Sequence, residues 1–156
     1  MIVLDASVLI AFLDRDDNHH AAAERLLIRS ADDDLAVNSL TMAEVLVAPV
    51  RDDRLDLVLA ALHALDIHEL TFPADAAVRL AQLRATTGLK MPDCCVLLAA
   101  EEAAASVASF DEQLAQAKFP EAVHTLAAPD LSEVASRLNW LRHAMVIDLT
   151  RSPLGY

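Results

Sequence analysis

Short apolar runs alternate along the chain with stretches in which apolar residues recur at helical spacing. The run 2–4 is apolar and β-branched, ends at Asp5, and is typical of a buried parallel strand. Further runs predict strands at 35–37, 67–70 and 107–108, with a candidate fifth strand at 123–126. Strands that alternate with helices of about 10–15 residues indicate a parallel sheet covered by helices on both faces.

The intervening segments carry apolar residues three and four positions apart, which predicts amphipathic helices. They lie at 8–13, 19–30, 41–49, 51–65, 73–86 and 93–105. Ser39 or Thr41 is expected to cap the third helix, and Pro49 to end it, because proline has no N–H to donate. Ser109, Phe110 and Asp111 are expected to form a turn after the fourth strand.

Pro129 marks the end of the predicted core. Asp130 and Glu133 have the spacing of a capping box, and the residues that follow form one apolar stripe along a last helix. The chain is therefore predicted to consist of a domain over 1–128 and an appended C-terminal helix and tail over 129–156.

The amino-acid composition excludes several classes of function. Thirty of the 156 residues are alanine, which favours helix, and only two are glycine. Two glycines exclude a Walker A loop and a dinucleotide-binding fingerprint, each of which needs a local glycine cluster to wrap a phosphate. The net charge of −12 argues against a protein that holds nucleic acid by bulk electrostatics.

The compartment is expected to be the cytoplasm. Cys94 and Cys95 are adjacent, a spacing that rarely forms a disulfide, and they are predicted to be small buried hydrophobic residues. The N-terminus has no basic segment of the kind that opens a signal peptide. No apolar stretch approaches the ~18 residues of a membrane span, so no membrane partner is expected.

Four carboxylates are predicted to meet at one edge of the sheet. Asp5 ends the first strand, and Asp111 follows the fourth. Glu44 lies in the helix after the second strand, and Asp93 opens the helix that leads to the fourth. Because ligands of open parallel sheets bind outside the carboxyl ends of the strands, this is the expected site.

Clustered carboxylates either take up protons or bind cations. An all-carboxylate site favours hard cations, Mg²⁺ or Mn²⁺ before Ca²⁺. Such ions can deprotonate a water and stabilise charge on a phosphoryl oxygen, so the residues indicate metal-assisted hydrolysis of a phosphodiester.

Four segments resemble the motifs of the PIN domain. They are Met1–Ser7 (MIVLDAS), Thr41–Leu46 (TMAEVL), Met91–Ala100 (MPDCCVLLAA) and Ser109–Leu114 (SFDEQL). Their order and spacing are similar to those of the small bacterial VapC toxins of toxin–antitoxin pairs. The resemblance covers roughly residues 1–126.

The resemblance implies a three-layer α/β/α fold with a central parallel sheet of four to five strands, and a Mg²⁺- or Mn²⁺-dependent endoribonuclease. It assigns the metal ligands to Asp5, Glu44, Asp93 and Asp111. It gives Ser109, and more weakly Ser7, a role in hydrogen-bonding a ligand or a metal-bound water. It also implies an RNA substrate, a VapB-type antitoxin that inhibits the enzyme, and a homodimer within the toxin–antitoxin complex. The tail after Pro129 departs from the compact family pattern.

Simpler interpretations stay open for several residues. Asp5 could only cap the following helix, and Asp93 could only be a charge at a helix start. Arg79, Arg84 and Lys90 lie in a stretch, 76–100, whose one acid is Asp93. They form either a phosphate-contacting rim or an ordinary solvated helix face.

Other classes of function fit less well. A haloacid-dehalogenase phosphatase needs a second aspartate at the position of Ser7, and a receiver domain needs an acidic pair near Asp5. A catalytically inactive PIN-like module that binds proteins remains the alternative, although such a module would be expected to lose some of the four acids.

Overall fold

A computed structural model describes residues 1–116 of the chain, with side chains through Leu114. Four short strands form one sheet: β1 (Ile2–Leu4), β2 (Leu35–Asn38), β3 (His68–Leu70) and β4 (Ser106–Ala108). Their order is β3-β2-β1-β4, and every pairing is parallel. The candidate strand at 123–126 and the predicted unit at 129–156 lie outside the described residues.

Seven helices connect and follow the strands within residues 1–116. They are α1 (Ala6–Leu13), α2 (His20–Arg29), α3 (Ser39–Arg51), α4 (Leu55–Ala64), α5 (Ala76–Thr87), α6 (Met91–Ala103) and α7 (Glu112–Gln116). Within this part of the chain, each helix is too short or too polar to cross a lipid bilayer.

The pleat of β1 divides the interior into two cores. Ile2 and Leu4 pack on one side with residues of α1 to α4, whereas Val3 packs on the other side with α6. In β2, the side chains of Leu35 and Val37 join the first core and that of Ala36 joins the second. Helices therefore cover both faces of the sheet, which confirms the predicted three-layer α/β/α architecture.

The second core depends mainly on α6. Seven consecutive residues of this helix, Cys94 to Ala100, are buried, because α6 contacts β1, β2 and β4 below it and α5 beside it. Cys94 and Cys95 are free thiols in this packing, as expected. The helix begins at Met91 with Pro92 in its first turn, which presents Asp93 at the carboxyl edge of the sheet.

Two predicted details of α3 are wrong. Asn38, rather than Ser39 or Thr41, caps the helix, since its side-chain oxygen accepts from the Thr41 N–H at 2.9 Å. Pro49 does not end the helix, which continues to Arg51. The proline removes one hydrogen bond in the last turns, but its ring is buried, and this packing offsets the loss.

The α3–α4 junction also differs from the prediction. A turn over 52–54 separates the two helices, so α4 starts at Leu55 and not at Arg51. Asp53 lies in the turn with a φ of 54°, in the left-handed region that a short acidic side chain tolerates.

Candidate active site at the carboxyl edge of the sheet

Asp5 directly follows β1, and hydrogen bonds fix both its backbone and its side chain. Its N–H donates to the Ala108 carbonyl at 2.9 Å, which extends the β1–β4 ladder by one residue. Its Oδ2 accepts from the Ser7 hydroxyl at 2.5 Å and from the Ser109 hydroxyl at 2.7 Å. Oδ2 also lies 3.4 Å from the Ser7 N–H, as an N-cap of α1. Asp5 therefore does cap its helix, and the same carboxylate binds a residue 104 positions away.

The two serine hydroxyls tie Asp5 to the loop after β4. Because each hydroxyl donates its proton to Asp5, its oxygen is free to accept. Ser7 Oγ accepts from the Phe110 N–H at 3.0 Å, and Ser109 Oγ accepts from the Asp111 N–H at 2.9 Å. These bonds fix the backbone that carries Asp111 relative to Asp5. Ser7 and Ser109 make the same two kinds of contact: each donates to Asp5 and accepts from a backbone N–H of the loop after β4.

Asp111 and Asp93 each open a helix. Asp111 Oδ1 accepts from the backbone N–H groups of Gln113 and Leu114, at 2.7 and 3.3 Å. Asp93 Oδ2 accepts from the Lys90 N–H at 3.2 Å. For Asp5, Asp93 and Asp111, the hydrogen bonds among the described residues use one carboxylate oxygen and leave the other available.

Glu44 approaches the same edge from the second turn of α3. The residue as a whole is exposed, yet partial burial of its carboxylate raises its pKa above the ordinary value, and the charges of Asp5 and Asp93 raise it further. Burial likewise raises the pKa of Asp93. The hydrogen bond from the Lys90 N–H and the Lys90 charge lower this pKa, and the charges of Asp111 and Asp5 raise it.

The four predicted carboxylates are therefore close enough for the charge of one to raise the pKa of another. Glu44 is coupled to Asp5 and Asp93, and Asp93 is coupled to Asp5 and Asp111. They come from β1, α3, α6 and the loop after β4, which the parallel topology brings to one edge. A concentration of negative charge of this kind attracts a cation.

The donor set fits a hard divalent cation. Within the described side chains, no three His, Cys, Asp or Glu groups are gathered tightly enough to form a preassembled metal site. Each of the three aspartates is bonded to local N–H or O–H donors. The remaining carboxylate oxygens are the ligand type that Mg²⁺ and Mn²⁺ prefer.

The three basic residues predicted to form a rim lie in different surroundings. Lys90 is exposed and adjoins the Asp93 carboxylate. Arg84 donates to the Leu89 carbonyl at 2.8 Å and so braces the α5–α6 loop. Arg79 is paired with Glu101 and Glu102. Glu101 follows Asp93 by eight residues of α6, roughly 12 Å along the helix axis, so Arg79 is not brought to the carboxylates.

Two features of the site were not predicted from the sequence. The His19 imidazole stacks on the Phe110 ring, which lies directly between Ser109 and Asp111. Asn38, level with Asp5 on the neighbouring strand, is fully buried, and its Nδ2 has no hydrogen-bond partner among the described residues. An asparagine at a strand end is a weak signal for such a position, and no spacing rule links His19 to Phe110.

The motif order, the topology and the four acids agree with one family. The model of the PIN domain matches residues 2–120. The chain belongs to the PIN domain family. The resemblance seen in the four sequence motifs is thereby confirmed. Among curated proteins, no sequence matches this PIN domain protein.

Solved structures share the PIN domain fold at low sequence identity. A toxin–antitoxin complex from Klebsiella pneumoniae superposes with a TM-score of 0.63 at 21% identity, covering 80% of this chain and 97% of that one. VapC20 from Mycobacterium tuberculosis, a toxin that cleaves the sarcin–ricin loop, gives 0.65 at 16% identity, over 78% and 98%. VapBC2 from Rickettsia felis, bound to a DNA fragment from its promoter, gives 0.61 at 12%, over 81% and 100%. At these identities the likeness establishes the fold.

Glu44→Gln is expected to raise the free energy of unfolding at pH 7 without divalent metal. A folded-state pKa above the unfolded one means that the ionised form of Glu44 destabilises the fold, an effect present above the folded pKa and absent well below 4.5. Because Glu44 is exposed, solvent screening limits the gain to about 0.5 kcal/mol. Urea unfolding at pH 7 and at pH 3 measures it.

The matched control is Glu24→Gln on α2. Glu24 is also exposed but faces His20, 3.6 Å away, and not another carboxylate. Its replacement should bring no gain at pH 7. A Glu44→Gln protein that is less stable than the parent at pH 7 would show that Glu44 experiences no net repulsion.

Proposed function

We propose that this PIN domain protein is a Mg²⁺- or Mn²⁺-dependent endoribonuclease that acts as the toxin of a bacterial toxin–antitoxin pair. The observation that carries the proposal is the electrostatic coupling of four carboxylates from four separate segments at one edge of the sheet. Such a cluster destabilises the folded chain unless it binds cations, and a hydrolase that acts on phosphodiesters has a use for them.

Asp5, Glu44, Asp93 and Asp111 are the residues that would hold the metal. When bound, the metal would supply a Lewis acid for a phosphoryl oxygen and would lower the pKa of a water at neutral pH. Ser7 and Ser109 orient the Asp5 carboxylate by donating to one of its oxygens. The same hydroxyls accept from the next loop and so keep Asp111 in place. Ser109 is therefore a positioning residue in this proposal.

The substrate would meet the site beside Lys90. This cation adjoins Asp93 and is exposed, which supports a contact with an RNA phosphate. Arg84 would contribute to the rim from the last turn of α5, whereas Arg79 would contribute only if substrate drew it away from Glu101 and Glu102. The rest of the acidic surface repels RNA, so binding should depend strongly on metal.

The partner would be a cognate VapB-type antitoxin that inhibits the enzyme. Two of the superposed structures are toxin–antitoxin or VapBC complexes. On α3, Leu40 and Val47 are exposed at positions i−4 and i+3 from Glu44, so an antitoxin segment on this apolar face would lie next to the carboxylates. A basic segment would also be attracted by the net charge of −12. A homodimer within the complex and a cytoplasmic location complete the proposal.

The direct test is the chemistry of the RNA ends that the protein produces. Hydrolysis by an activated water needs no 2′-hydroxyl, so a substrate with a single 2′-deoxy substitution at the cut should still be cleaved, and no 2′,3′-cyclic phosphate should form. Total RNA incubated with protein and Mg²⁺ first locates the cut by end mapping. Cyclic phosphate ends, or a cut that the 2′-deoxy substitution abolishes, would contradict the proposed mechanism.

A further inference from the structure

A pair of stacked rings lies beside the candidate active site. The His19 and Phe110 ring centroids are 4.8 Å apart, and the ring planes differ by 15°. Phe110 is half-buried and packs against the core beneath α1 and α2, whereas His19 is exposed. Phe110 thus supports one face of the imidazole from below and leaves His19 as the outer ring of the stack.

Hydrogen bonds fix the backbone segments that carry the two rings. The His19 N–H donates to Asp17 Oδ1 at 2.7 Å, just before α2 begins. The neighbouring His20 bonds the Ala11 carbonyl through Nδ1 at 2.8 Å and so ties this segment to α1. The Phe110 N–H donates to Ser7 Oγ. Since the stack on Phe110 also restricts the His19 ring, that ring loses less conformational entropy when a ligand packs on it.

The stack is connected to the carboxylates through the loop that follows β4. Phe110 lies between Ser109, which donates to Asp5, and Asp111. A nucleotide whose phosphate reached these carboxylates would have its base near the outer ring. Single-stranded RNA is commonly recognised by stacking of unpaired bases on aromatic or histidine side chains, a contact that tolerates any base because each has a π-face.

Base stacking on His19 would matter more in this protein because the chain is strongly acidic. The chain carries −12, and of the three basic residues predicted to form a rim, Arg79 and Arg84 are already engaged with protein acceptors, which leaves Lys90 among these three. From these observations we infer that the outer face of His19 stacks on an unpaired nucleobase next to the scissile phosphate. His19 is then a specificity-determining residue that favours single-stranded over paired RNA. The inference rests on the proposed ribonuclease function.

The test measures binding separately from cleavage. Fluorescein-labelled single-stranded RNA spanning the mapped cut is titrated by anisotropy at several salt concentrations, in Ca²⁺, which carboxylates also bind but which is a weaker Lewis acid than Mg²⁺, and gels check that the RNA stays intact. His19→Ala or His19→Leu should weaken binding about 10-fold, whereas His19→Phe should stay close to the parent. The slope of log Kd against log salt should be unchanged, because stacking releases no counterions.

His19→Leu is the variant that separates stacking from packing. Leucine can cover Phe110 but offers no π-face, so full affinity in His19→Leu would overturn the inference and leave the pair a packing contact. Thermal unfolding of each variant checks that the fold is kept. An RNA with one abasic position at the stacked base should show the same loss with His19 present and no further loss with His19→Ala.

The outcomes also separate this inference from the proposed activity. If RNA is cleaved but all His19 variants bind equally, the inference is wrong and the activity stands. If the wild-type protein cuts no RNA while the affinities differ as expected, the activity is wrong and the stacking stands. If single-stranded RNA does not bind at all, both are overturned.

Discussion

Asp93→Asn is expected to lower the rate of RNA cleavage in Mg²⁺ by about 10³-fold or more. The carboxylate would hold metal at the centre of the site, where its charge is coupled to Asp5 and Asp111. A metal contributes several kcal/mol of transition-state stabilisation, and about 4 kcal/mol corresponds to 10³-fold in rate. Initial rates on the mapped RNA substrate, with enzyme in excess, measure the loss.

Asp56→Asn is the matched control for this substitution. Asp56 lies in the first turn of α4, as Asp93 lies in the first turn of α6, but it is exposed and outside the carboxylate cluster. Its replacement should leave cleavage within about twofold of wild type and should lower stability only slightly through the helix dipole. An Asp93→Asn protein that kept a tenth or more of the wild-type rate would refute the metal-ligand role.

Millimolar Mn²⁺ is expected to stabilise the wild-type protein by about 2.7 kcal/mol once its concentration reaches about 100 times Kd. The ion would bind the folded chain, in which the four carboxylates meet, and not the unfolded one. The gain corresponds to a rise in Tm of about 5–10 °C for a domain of this size. Thermal scans at constant ionic strength measure it.

The variants decide what such a shift means. Asp5→Asn and Asp93→Asn should lose most of it, whereas Asp56→Asn should retain it. Absence of any shift in the wild-type protein would favour the alternative of a PIN-like module that binds proteins without catalysis. An equal shift in all four proteins would indicate that Mn²⁺ binds elsewhere on the acidic surface.

The sheet could be predicted because most of its strands are short apolar runs with polar or turn residues at their ends. Ile2 to Leu4 and Leu35 to Val37 are apolar on both faces, which in this structure means burial between two helical layers. Once the strands are known to be parallel, their carboxyl ends share an edge. This shared edge is sufficient to predict that Asp5 and Asp111 lie close together.

Helix ends were less predictable, because local preference competes with packing. Pro49 favours a helix end, yet burial of its ring lets α3 continue to Arg51. Asn38 was overlooked as a cap because it also completes the buried strand β2. The short helix α7 after Asp111 was missed, since five residues carry too little periodicity to be recognised.

Contacts between distant segments could not be predicted from the sequence pattern. Ser7 appears in a common Asp-Ala-Ser triplet, and nothing nearby shows that its hydroxyl accepts from Phe110. His19 is the first residue of the helix predicted over 19–30, and that prediction gives no sign of the ring beneath it. Such pairs depend on how α1, α2 and the β4 loop pack, which a single sequence does not specify.

The separation of 104 positions between Asp5 and Ser109 has a consequence for how the protein is made. During translation, Asp5, Glu44 and Asp93 are all synthesised before β4, and without β4 there is no loop to bond Asp5 or to carry Asp111. A growing chain therefore holds three of the four acids but no assembled site. Under the proposed function, such a chain could not attack RNA, including that of the ribosome producing it, until β4, the last strand among the described residues, has been released and folded.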